Sequence, residues 1–119
     1  MFGWTKAYWS RQRDLEEITA MSDSELSDIG ASRADLRRIV EMPDEVPTRM
    51  ASMARIFGIS EDRLAENRAE YVERLMNCAA CRALGECRHE LAKGDGADPA
   101  VCGTFCPNAG RFAELSRAV

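Results

Sequence analysis

"MSDSELSDIGASRADLRRIVEM", residues 21–42, carries enough helix punctuation to decide the fold class. Ser22 followed three positions later by Glu25 is a capping box, in which each residue satisfies a backbone N–H that the first helical turn leaves open. Gly30 stands where a helix needs a left-handed stop, and Ser32 with Asp35 repeats the opening signal in a looser form. Leu26, Ile29, Leu36, Ile39 and Val40 fall at helical spacing and provide buried faces. The stretch therefore predicts helix, turn, helix. The rest of the chain agrees, being rich in Ala, Arg, Glu and Leu and poor in Val and Thr, so the expected fold class is all-α.

Upstream, Phe2, Trp4, Tyr8, Trp9, Leu15 and Ile18 form a broad stripe on a first helix. Trp4, Tyr8 and Trp9 are the candidate partner-binding residues, since aromatics in such a stripe pack on the protein or on a partner. Contact with a membrane surface is the competing reading, weakened by the few cations nearby. The helix pair at 21–42 is not expected to read DNA, because Asp23, Glu25, Asp28 and Asp35 would meet phosphates. Residues 1–46 carry six Lys or Arg against ten Asp or Glu, and residues 47–119 carry ten of each, so neither part offers the cationic face of a nucleic-acid binder.

Downstream, "PDEVP" (43–47) reads as a linker, which places an N-terminal helical element at 1–46 and a second domain at 47–119. Met50, Met53, Ile56 and Phe57 share one helical side, and Gly58 stops that helix. Ser60 then caps a single longer helix through Asn77, with Leu64, Tyr71, Leu75 and Met76 toward the core.

That helix leads into "NCAACRALGEC" (77–87). If it continues, Cys78 and Cys81 lie side by side on one face. Gly85 is expected to turn the chain so that Cys87, at the start of the next helix, faces the pair. Cys106 precedes Pro107, which suits the first position of a terminal helix, so Cys106 is expected at its N-cap with its thiol pKa lowered by the exposed N–H groups. Cys78, Cys81, Cys87 and Cys106 thus form the candidate metal set, with Cys102 and His89 as alternative ligands and Arg82, Arg88 and Arg111 available to offset its charge. The first residues lack the apolar centre of a signal peptide and no apolar run reaches membrane-spanning length, so the expected compartment is the cytoplasm, where cysteines serve as metal ligands or redox groups more often than as disulfides.

"MSDSELSDIGASRADL" resembles the YjiS-like domain of unknown function over about residues 10–42. Small basic members of that family are linked with RNA; this copy is acidic, and RNA binding is not carried over. Residues 47–119 resemble a bacterial cysteine-rich domain of unknown function marked by C-x2-C-x5-C and, further on, "FCPNA", here at 105–109. That resemblance implies Cys78, Cys81, Cys87 and Cys106 as the shared set, with Cys102 outside it. The C-x2-C-x5-C spacing is also similar to that of the four-iron clusters of WhiB-type regulators and helix-hairpin-helix DNA glycosylases.

Four thiolates with one close pair fit an iron–sulfur cluster, most simply 4Fe-4S, with zinc as the alternative cofactor. The chain has one His, no phosphate-binding glycine loop and no hydrolytic constellation, so no enzyme is expected. The reading is a cytoplasmic regulator or adaptor with a protein partner, sensing iron, oxygen or redox state. Its alternatives are a zinc-stapled interaction module and a thiol redox or electron-transfer protein.

Overall fold

The structure, a computed structural model, describes residues 2–117 and the side chains from Arg11 onward. Its described residues are helical with turns and contain no strand. The chain divides into two compact units, 1–43 and 44–119.

In the first unit α1 (Phe2–Ala20), α2 (Asp23–Ile29) and α3 (Arg33–Glu41) follow the punctuation of the sequence. Ser22 Oγ accepts from the Glu25 N–H at 3.2 Å while Glu25 Oε1 accepts from the Ser22 N–H at 3.4 Å, completing the capping box. Gly30 takes φ +80°, and its N–H donates back to Leu26 O at 3.0 Å. Ser32 Oγ accepts from the Asp35 N–H at 3.0 Å. Arg33 closes the end of α1: its Nε donates to Ile18 O at 3.2 Å and its Nη2 to Met21 O at 2.6 Å, carbonyls near the end of the helix. Ile18 and Leu26 are buried, whereas Ile29, Leu36, Ile39 and Val40 are only half-buried, so α3 has no fully buried residue. The side chains of Trp4, Tyr8 and Trp9 lie outside the described residues.

In the second unit α4 (Glu45–Ile56) is the axis, against which α5 (Glu61–Leu64), α6 (Arg68–Ala79) and α7 (Leu84–Leu91) pack. The expected linker is shorter than "PDEVP": α4 takes Glu45, Val46 and Pro47 into its first turn, where a proline's missing N–H costs nothing, leaving only Met42–Asp44 outside helix. Met50, Met53 and Ala54 of α4 are buried with Leu64, Val72 and Leu75. Phe57 and Phe112 meet with ring centroids 5.7 Å apart and planes tilted by 55°. Each large side chain buried in this way contributes about 1.5–3 kcal/mol. Gly58, at φ +80°, stops α4 as its sequence position predicts.

The expected long helix after Ser60 is two helices. Ser60 caps only the four-residue α5; the chain then breaks at Ala65–Asn67, and Asn67 Oδ1 accepts from the Glu70 N–H at 3.1 Å to start α6. A 3-10 turn (Gly94–Gly96), α8 (Pro99–Cys102) and α9 (Ala109–Arg117) complete the unit. Among the described residues no helix is long and apolar enough to cross a membrane.

Candidate metal centre

Three segments bring four cysteines around one space. Cys78 is buried in the last turn of α6, which ends at Ala79, so the helix does not run on through Cys81. The Ala80 N–H closes it on Met76 O at 3.1 Å, and Cys81 follows in a turn with its N–H on Cys78 O at 3.2 Å. Cys81 Sγ accepts from the Ala83 N–H at 3.3 Å.

Gly85 is not the turn that its position predicts. It lies inside the first turn of α7, without a positive φ and with open space where a Cβ would stand. The reversal is made by Arg82 and Ala83 instead, and Cys87 is buried one turn into α7 with its N–H on Ala83 O at 2.9 Å.

Cys106 follows α8 and precedes α9. The terminal helix begins at Ala109, so Pro107 and Asn108 form a turn and Cys106 stands ahead of the expected cap position. The backbone N–H groups of Asn108 and Ala109 still favour its thiolate, and its carbonyl accepts from the Ala109 N–H at 3.1 Å.

Cys78, Cys81, Cys87 and Cys106 line one small pocket, about 10 Å³ in volume and partly open to solvent, with Arg49, Met53, Phe105 and Pro107 completing its wall. Cys102 does not line it: this thiol is fully buried at the end of α8. His89 is exposed on α7 and also lies outside the wall. None of the five cysteines is in a disulfide. Among the described residues no three His, Cys, Asp or Glu side chains form a ready-made ion site.

Burial dominates the electrostatics. It pushes the Cys78 thiol up to about 11, reinforced by Cys106 and opposed by Arg49 and the Asn108 amide. Burial likewise pushes Cys87 up to about 11, with Arg49 opposing and the neighbouring thiols reinforcing. The Cys106 thiol is also raised by its burial, which outweighs the two N–H groups that favour thiolate, and this overturns the lowered pKa expected from its place before a helix. Without a cation Cys78, Cys87 and Cys106 are therefore held toward the neutral thiol, and metal uptake would release their protons.

Two supporting residues escape a reading of the sequence alone. Asn108, completely buried, donates from Nδ2 to Arg74 O at 2.9 Å and to Cys78 Sγ at 3.3 Å while its Oδ1 accepts from Asn77 Nδ2 at 3.0 Å. It belongs to the quoted "FCPNA", where only the cysteine drew notice. Arg49 donates from Nη2 to Cys78 O at 3.0 Å and faces the pocket from α4, in the place expected of Arg82, Arg88 or Arg111. Arg88 is instead paired with Glu45 at 2.9 Å, Arg111 with Glu70 at 2.7 Å and Glu114 at 3.0 Å, and Arg82 is exposed. The available signal was that Arg49 stands one helical turn before Met53, on the buried stripe.

No curated protein and no solved structure matches the chain. Family models match it twice, in the expected order: the YjiS-like domain over residues 1–37 and the Family of unknown function (DUF6455) over residues 39–118. Since the second match takes in more than half of the chain, including the whole cysteine pocket, the protein belongs to the DUF6455 family, with a YjiS-like stretch ahead of it.

Proposed function

We propose that the second unit binds an iron–sulfur cluster through Cys78, Cys81, Cys87 and Cys106 and that the protein is a non-enzymatic regulator or adaptor of the reducing cytoplasm, responding to iron, oxygen or redox state. The observation that carries this reading is the convergence of cysteines from α6, the turn after it, α7 and the loop before α9 on one largely apolar pocket that leaves out Cys102. Two of the four sulfurs already accept N–H hydrogen bonds, Cys78 from Asn108 Nδ2 and Cys81 from Ala83. Such bonds suit anionic sulfur.

A cluster is preferred to zinc on the ligand spacing: zinc sites usually bring their cysteines as two close pairs, and here Cys78 and Cys81 form the one close pair. Thiol exchange is disfavoured by the raised pKa of Cys78, Cys87 and Cys106, since the thiolate is the reactive form. The partner is assigned to the first unit, on its sequence stripe of Trp4, Tyr8 and Trp9.

Elemental analysis with an absorption spectrum, on full-length protein isolated without air, tests this. Iron, acid-labile sulfide and broad visible absorption are expected. Colourless protein with one zinc per chain would replace the sensor with a stapled interaction module, and metal-free protein would end the metal reading.

A further inference from the structure

We infer that Arg49 is a positioning residue of the four-cysteine site: from α4 it holds the carbonyl of Cys78 and sets its guanidinium charge against the bound metal group. The inference rests on the metal reading above and adds the residue that tunes it. Arg49 is the cation in the pocket wall, its side chain is only 11% exposed, and its Nη2 donates to Cys78 O at 3.0 Å. Its Nη1 lies 3.4 Å from Glu45 Oε1, and the same Glu45 oxygen is 2.9 Å from Arg88 Nη2 on α7, one residue after Cys87. The guanidinium is thereby fixed at two points, one of them on the backbone of a ligand residue.

A set of four thiolates is anionic with either metal, and a buried cation beside it favours whichever state carries more negative charge. For an iron–sulfur cluster that is the reduced state, so loss of the charge lowers the midpoint potential. Retention of the group falls as well, because Cys78 loses its tether. Lysine supplies a point charge without the planar fork, and so separates the two effects. Arg88→Met separates them from the link to Glu45, because Arg88 shares that carboxylate but is exposed and outside the pocket wall.

The test compares full-length wild type, Arg49→Met, Arg49→Lys and Arg88→Met, each loaded anaerobically, by competition with a chelator and by redox titration where iron is bound. Arg49→Met is expected to lose metal about tenfold more readily and, as a one-electron iron couple, to fall by about 59 mV, the equivalent of tenfold. Arg49→Lys is expected to keep the wild-type potential while losing part of the retention, and Arg88→Met to match wild type in both. If Arg49→Met does not fold, Arg49→Lys carries the test, and undiminished retention in it overturns the inference. Wild-type behaviour of Arg49→Met, or an equal loss in Arg88→Met, overturns it while leaving the metal reading in place. A wild-type chain that takes up neither iron nor zinc removes both.

Discussion

Cys78 and Cys102 are both buried thiols of the second unit, and their surroundings have opposite character. Cys78 sits against a guanidinium and a buried amide N–H, with three further sulfurs across the pocket. Cys102 sits near the Glu90 carboxylate, itself only 2% exposed, and its thiol is raised by burial and then by Glu90, Cys106 and Asp98. Burial raises both thiols; beyond it, Arg49 and Asn108 favour a negative sulfur at Cys78, whereas Glu90 and Asp98 oppose one at Cys102. Cysteine chemistry is thus set by the neighbours, and the five cysteines divide into four that line one pocket and one that behaves as a small core residue.

The largest effect that would break this comparison is loss of a ligand. Cys87→Ser is expected to lower metal retention beyond the roughly 10–100-fold that loss of a supporting residue costs, and the metal-loaded protein to melt well above the stripped one, because binding energy at such a site is folding energy. Chelator competition and thermal melting check both. Next comes Asn108→Ala, which removes the side-chain donor from Arg74 O, leaves the Asn77 amide without its acceptor and withdraws the N–H from Cys78 Sγ. It is expected to cost roughly 1–3 kcal/mol in urea unfolding of the metal-free protein, with retention lowered within the 10–100-fold range. Unchanged retention would reduce Asn108 to a packing residue.

How far the sequence foretold these neighbourhoods depended on the kind of signal. Caps were legible at Ser22, Gly30, Ser32 and Gly58 because a short polar side chain or a positive φ has a local cause. The Asn67 cap was equally local but lay hidden in the charged run "EDRLAENRAEY", where no apolar gap marks a break. The four-residue α8 is too short for periodicity, and only Asp98 with Pro99 announces it. Gly85 misled because glycine is also tolerated inside a helix. Around the site the four cysteines were nameable from spacing, whereas Arg49 was not: counting apolar residues assigns every arginine to solvent, and its burial depends on α4 facing the end of α6, a tertiary fact.

On the Cys102 side, a smaller prediction concerns acid. The Lys93 ammonium bonded to Glu90 holds that carboxyl below the usual range, with the Asp98 N–H adding to the effect at 3.3 Å. A carboxyl depressed on folding contributes stability above its unfolded value, about pH 4.3 for glutamate, and loses it as pH falls through the folded value. Wild type should therefore lose stability on acidification through that range more steeply than Glu90→Gln, as read from unfolding midpoints across pH. Parallel curves would show that Glu90 is not the anion that distinguishes this side of the unit.

The smallest expected effect is also the sharpest test of the division. Cys102→Ala removes one sulfur from a fully buried position, a change comparable to deleting a methyl group, and is expected to cost about 1 kcal/mol. Metal content and absorption should match wild type, because Cys102 lies outside the pocket wall and its acidic neighbours disfavour the thiolate a metal needs. Cys106→Ala makes the reciprocal case. Cys106 is half-buried in the pocket wall, and losing its sulfur should empty the site despite the lesser burial. If instead Cys102→Ala emptied the site and Cys106→Ala did not, the contrast between the two surroundings would no longer predict which cysteines bind. Ligand choice would then follow reach along the chain, with the loop from Gly103 to Pro107 rearranging on loading to bring Cys102 in.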